Sequence, residues 1–72
     1  MQNELYKGFA VWGHAIQEQR EILERERYAA SGTVTKGGKF VEASVVLGVF
    51  DSEDAAQECG LSWARAWVDN HS

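Results

Sequence analysis

Six side chains in this sequence are of types that carry catalysis: His14, His71, Cys59, Ser31, Ser44 and Ser62. A serine nucleophile needs an imidazole to take its proton and a carboxylate to orient that imidazole. Zinc hydrolysis needs clustered ligands such as H-E-x-x-H, and thiol redox chemistry a C-x-x-C pair. None of these spacings occurs, and no Gly-rich phosphate loop leads into a helix. Cys59 falls on an apolar helix stripe, where cysteine behaves as a small hydrophobe. His71 lies in a tail expected to fray, and His14 on a strand face open to water. No catalytic, cofactor-binding or metal-ligating residue is assigned, no cofactor is expected, and the chain reads as a non-enzyme.

The acidic run Asp51-Ser52-Glu53-Asp54 is the other place where charge gathers. It follows Val45-Val46-Leu47-Gly48-Val49-Phe50, which is too short and too β-branched for a helix. Asp51 or Ser52 can then cap a helix by accepting from a first-turn amide. Glu53 and Asp54 place negative charge at the positive end of the helix dipole. A helix start accounts for the acids without a metal or a catalytic carboxylate pair.

The elements that position these residues follow from periodicity. Residues 5–16 read as one strand, with Leu5, Phe9, Val11 and Ala15 on one parity and Tyr6, Ala10, Trp12, His14 and Ile16 on the other. Both faces are apolar. Gly8 and Gly13 suit bulges or close approaches. Residues 17–27 are polar, with Glu21 and Arg25 at i,i+4; a long hairpin turn is favoured over a short helix. Gly37-Gly38 suits a two-residue primed turn. That turn sets Val34 opposite Val41, Gly32 opposite Ala43, Ala30 opposite Val45 and Tyr28 opposite Leu47, all on one face. The other face receives Thr35 with Phe40, Thr33 with Glu42, Ser31 with Ser44, and Ala29 with Val46. Lys36 and Lys39 flank the turn as solubilising charges.

From about 53 to 69 the pattern is helical, with Ala56, Cys59, Gly60, Trp63, Ala66 and Trp67 on one stripe. Gly60 there would let the helix approach a sheet closely. Leu61, Ala64 and Val68 form a second stripe, read as a domain edge, and Arg65 and Asp69 stand at ion-pair spacing. The fold expected is α+β, one domain over 1–72: a three-stranded antiparallel meander (5–16, 23–36, 39–50) covered on one face by a C-terminal helix (53–69).

With 72 residues, 44% apolar content and three Trp, a modest core is available without staples. One cysteine excludes an internal disulfide and suits a reducing, cytoplasmic setting. No signal peptide is expected after Met1, and no apolar run approaches the ~20 residues of a membrane span. A net charge of −4 disfavours nucleic acid, whose phosphates call for clustered Lys and Arg.

Tyr6-Lys7-Gly8-Phe9, Ser31-Gly32, Leu47-Gly48-Val49-Phe50-Asp51-Ser52 and the helix segment Gly60 to Asp69 together resemble a group of short, uncharacterised proteobacterial proteins of β-β-β-α layout. That resemblance implies a fold and no catalytic residues. The topology is also similar, more loosely, to the second part of double-stranded-RNA-binding domains and to HicB-like antitoxins. The basic cluster that such an RNA-binding domain carries at its helix start is replaced here by Asp51, Glu53 and Asp54.

The second sheet face is left without a covering element and carries Tyr6, Ala10, Trp12, His14, Ala29, Phe40 and Val46. Aromatics on such a face point to a partner. The candidate interaction surface is Tyr6, Trp12, His14, Phe40 and Val46. The expected function is a non-catalytic protein-interaction module, dimeric through this face or through the Val-rich edge strand, or else bound to another protein; no membrane is involved. The alternative is a nucleic-acid module that stacks bases on Tyr6, Trp12 and Phe40.

Overall fold

A computed structural model of the chain describes residues 2–18 and 27–71. The elements are β1 (Gln2–Tyr6), β2 (Phe9–Glu18), β3 (Arg27–Lys36), β4 (Lys39–Ala43), β5 (Gly48–Phe50) and the helix α1 (Glu53–His71). Strand order is β1-β2-β3-β4, with β5 also paired to β3, so β4 and β5 share the outer position. The result is an α+β domain: an antiparallel sheet four strands wide and one C-terminal helix.

The expected first strand is two. Lys7 and Gly8 take φ of 52° and 86° and form a primed two-residue turn, which folds β1 back on β2 with Tyr6 opposite Phe9. The choice between hairpin and helix for residues 17–27 falls mostly on 19–26, outside the described residues. Gln17 and Glu18 already belong to β2, and Arg27 to β3. The expected third strand, 39–50, is also two. Pairing leaves the Gly37-Gly38 turn as anticipated, Lys36 with Lys39 and Thr35 with Phe40. A bulge then sets Glu42 opposite Val34 and Ala43 opposite Thr33. The chain leaves the ladder over 44–47 and rejoins it with Gly48 opposite Ala30 and Phe50 opposite Tyr28. Ser44 makes this detour possible. Its amide donates to the Gly32 carbonyl (2.8 Å) and its Oγ accepts from the Gly32 amide (2.8 Å), so the side chain replaces a partner strand's carbonyl.

The helix starts as read from the sequence. Ser52 caps it: its Oγ accepts from the Ala55 amide (3.1 Å) and its carbonyl from Ala56. Its rotation differs from expectation. The buried side is Ala56, Gln57, Gly60, Leu61, Ala64 and Val68, so the stripe expected at a domain edge is the core. Three glycines decide this. A Cβ on Gly60 would collide with the Ser31 carbonyl, one on Gly13 with the Gln57 carbonyl, and one on Gly32 with the Gly60 carbonyl. The helix therefore lies backbone to backbone on β2 and β3. Leu61, Ala64 and Val68 meet Val11 and Val34, while Trp63 and Trp67, too large for that contact, pack half-buried against the cluster. Cys59 is likewise half-buried rather than interior.

Arg65 and Asp69 do not pair with each other. Arg65 grips Glu4 with two nitrogens (2.9 and 3.0 Å) and reaches Glu58 (3.3 Å). Asp69 receives Lys7 Nζ (2.7 Å) and the Tyr6 hydroxyl (3.0 Å). Both clamp the β1–β2 hairpin to the helix. No helix among the described residues is long and apolar enough to cross a membrane.

Candidate functional site

Alternation along the paired strands sends one set of side chains to α1 and the other to the opposite face. Register arranges that opposite face in rows across the sheet. Leu5, Ala10, Thr35 and Phe40 form the first; Asn3, Trp12, Thr33 and Ala43 the second; His14 and Ser31 the third; Ile16, Ala29 and Val49 the fourth. The outer rows carry the exposed apolar side chains at their ends, Leu5 81%, Phe40 66%, Ile16 52% and Val49 42% exposed, while Ala29 between Ile16 and Val49 is buried and Ala10 and Thr35 are half-buried.

The middle rows are polar and internally bonded. The Trp12 indole N–H donates to Thr35 Oγ1 at 3.2 Å. His14 Nε2 lies 2.9 Å from Thr33 Oγ1, a hydrogen bond whose donor depends on the imidazole tautomer. Each aromatic reaches the hydroxyl one row on from its direct partner, so both rings lean the same way along β3. Partial burial disfavours the imidazolium and holds His14 below its ordinary pKa.

Of the five residues expected on this surface, Trp12, His14 and Phe40 are there. Tyr6 is not. The Lys7-Gly8 turn reverses the chain, so Tyr6 shares the helix side with Phe9, and its hydroxyl binds Asp69. That bond raises the Tyr6 pKa, and Lys7 with Tyr6 holds the Asp69 carboxyl below the usual carboxylate range. Val46 is exposed but sits in the detour between β4 and β5, and Val49 takes its expected place opposite Ala29. Leu5 and Val49 were missed; Ile16, Thr33 and Thr35 were placed on this face by parity but not named among its candidate residues. The signal for Leu5 was the Lys7-Gly8 pair, read as strand instead of turn.

The remaining reactive side chains have structural occupations. Ser44 bridges Gly32. His71 belongs to the last helical turn: its Nδ1 is 2.8 Å from the Trp67 carbonyl, and its ring stacks on Trp67 at 4.0 Å. Lys36, expected only to solubilise, lies 4.7 Å over the Phe9 ring. Among the described residues no group of three His, Cys, Asp or Glu is placed to hold a metal.

No protein-family model, curated protein or solved structure matches this chain.

Proposed function

We propose that this protein is a small, non-catalytic interaction module that self-associates through its open sheet face or a strand edge. One observation carries the reading. Leu5, Ile16, Phe40 and Val49, four exposed apolar residues from four strands, all lie on the face opposite the helix. Apolar groups gathered on one side of a small domain mark a contact surface. The non-catalytic part is supported by His14, which engages Thr33 and not its cross-strand neighbour Ser31. A dimeric state, a cytoplasmic setting and kinship with short bacterial β-β-β-α proteins belong to the same proposal.

The nucleic-acid alternative has less behind it. Tyr6 has left the face, and among the described side chains Arg27 is the one cation on it. Phosphate binding by a surface so poor in positive charge is weak.

Sedimentation equilibrium over a wide concentration range, at low and high salt, tests the reading. A dimer insensitive to salt is expected. Trp12→Glu, and the more exposed Phe40→Glu, should give monomers with unchanged helix content by circular dichroism. A wild type that stays monomeric at every concentration refutes it.

A further inference from the structure

The self-association reading leaves face and edge open, and the structure discriminates between them. Strand addition needs a continuous row of free backbone groups. The β4–β5 edge lacks one: the bulge opposite Val34 and the detour over 44–47 leave runs of five and three residues. The other edge, β1, is five residues long.

The face is better suited. At about 3.3 Å rise per residue and 4.8 Å between strands, its strand residues tile roughly 500 Å² of plane. Two such faces total about 1,000 Å², the lower bound for a specific interface. The chain carries a net charge of −4, yet among the described side chains only Arg27 brings charge to this face. A second copy would meet little self-repulsion there. Of the polar groups in the middle rows, the Trp12 indole and the His14 Nε2 already have hydroxyl partners, while Asn3, Ser31 and the His14 Nδ1 would take theirs from the second copy or from trapped water.

We propose that two copies stack open face on open face, with His14 inside the contact, and that acidification separates them. His14 stands between Trp12 and Ile16 along β2 and beside Ser31 and Thr33 on β3; behind it, Gly13 touches the helix. No carboxylate among the described side chains reaches it. Arg27, further along the same face, is the one described charge that shares it. An imidazolium sealed under a second copy would thus have no counter-ion and would face like charge across the two-fold axis. Pairing below the His14 pKa requires each copy to shed a proton, so Kd rises by up to ~100-fold per pH unit.

Sedimentation equilibrium of the full chain at about pH 8 and about pH 4.5 tests this, the lower value lying well under the ordinary histidine range because burial lowers the His14 pKa. The wild type should pair at the higher pH and weaken at least ~10-fold at the lower, in line with that linkage. His14→Gln, neutral at both and still able to bond Thr33, should pair equally at both. Val45→Lys, placed in the edge detour, should behave as wild type. A wild-type dimer unchanged at low pH overturns the inference and leaves self-association standing, as does a His14→Gln dimer that dissociates like wild type. A wild type that loses its fold by circular dichroism at the lower pH overturns it too. A Val45→Lys monomer at the higher pH moves the contact to the edge. A wild type monomeric at the higher pH removes the self-association reading itself.

Discussion

Gly60→Ala is the sharpest test of the fold, because two effects of opposite sign act at one atom. In an exposed helix interior the change would stabilise by about 1 kcal/mol, since alanine is the better helix former. Here the added methyl collides with the Ser31 carbonyl oxygen and comes within 2.8 Å of its carbon and 3.0 Å of the Gly13 Cα. All three are backbone atoms of central strands, so no side chain can swing away. With ordinary contacts near 3.5 Å, the helix must lift by roughly 1 Å. Lifting loosens Leu61, Ala64 and Val68 against Val11 and Val34, which is most of the core. Overpacking of this kind costs about 1–3 kcal/mol beyond any propensity gain, and more where backbone must move. A net loss of about 2 kcal/mol is expected, a large share of the roughly 4–11 kcal/mol a domain of this size commands. Urea unfolding followed by tryptophan fluorescence measures it, and a Tm drop on the order of 10 °C should accompany it. The reverse change at an exposed helix site, Ala66→Gly, calibrates propensity alone. A Gly60→Ala protein as stable as wild type, or more so, would refute the close contact and with it the helix rotation that buries Leu61.

Two further outcomes test the parts that hold the sheet's edges. Ser44→Ala strips the Gly32 amide of its acceptor, which should cost about 1–3 kcal/mol and speed hydrogen exchange at Gly32; an unchanged exchange rate would show that another group serves that amide. Arg65 holds Glu4, and Lys7 with Tyr6 holds Asp69, below the usual carboxylate range. Both pKa values are depressed on folding, so this stabilisation is complete above the ordinary carboxylate value of about 4 and is lost as pH falls through the depressed values. Asp69→Asn and Glu4→Gln should each flatten the acid limb of stability against pH in urea titrations; two unaltered acid limbs would mean the clamps are idle.

How far the fold was legible depends on which signals are local. The Gly37-Gly38 turn and the Ser52 cap are short-range chemistry, and each lies where the residue types put it. The bulge at Val41-Glu42 has no such mark. Phe40-Val41-Glu42-Ala43 alternates well enough to read as plain strand, and only Val34 facing Glu42 shows the extra residue. Val45-Val46 reads as strand for the same reason, while the cause of the detour is the Ser44 hydroxyl taking over a backbone role. Helix rotation was ambiguous because α1 has two apolar stripes. Aromatic bulk favoured the Trp63–Trp67 side, but the sheet accepts the helix only where Gly13, Gly32 and Gly60 coincide, and that coincidence is tertiary.

The site errors reduce to register. One unrecognised turn at Lys7-Gly8 exchanges the faces of Leu5 and Tyr6, because every residue before a two-residue hairpin takes its side from its cross-strand partner. The apolar character of both parities in 5–16 hid this, because β2 by itself is apolar on both faces, with Phe9, Val11 and Ala15 toward the helix and Ala10, Trp12 and Ile16 away from it. The detour at 44–47 exchanges Val46 for Val49 in the same way. Trp12, His14 and Phe40 keep their places because each lies on a stretch whose register is pinned nearby, the first two by Val11 and Gly13 under the helix and the third by the glycine turn. The surface that emerges is more aliphatic than the expected one. Tyr6 takes its hydroxyl to Asp69, and Leu5 brings a bare side chain in exchange. That exchange removes a base-stacking ring and adds aliphatic area, and it is the physical ground on which a second copy of the chain is proposed in preference to nucleic acid.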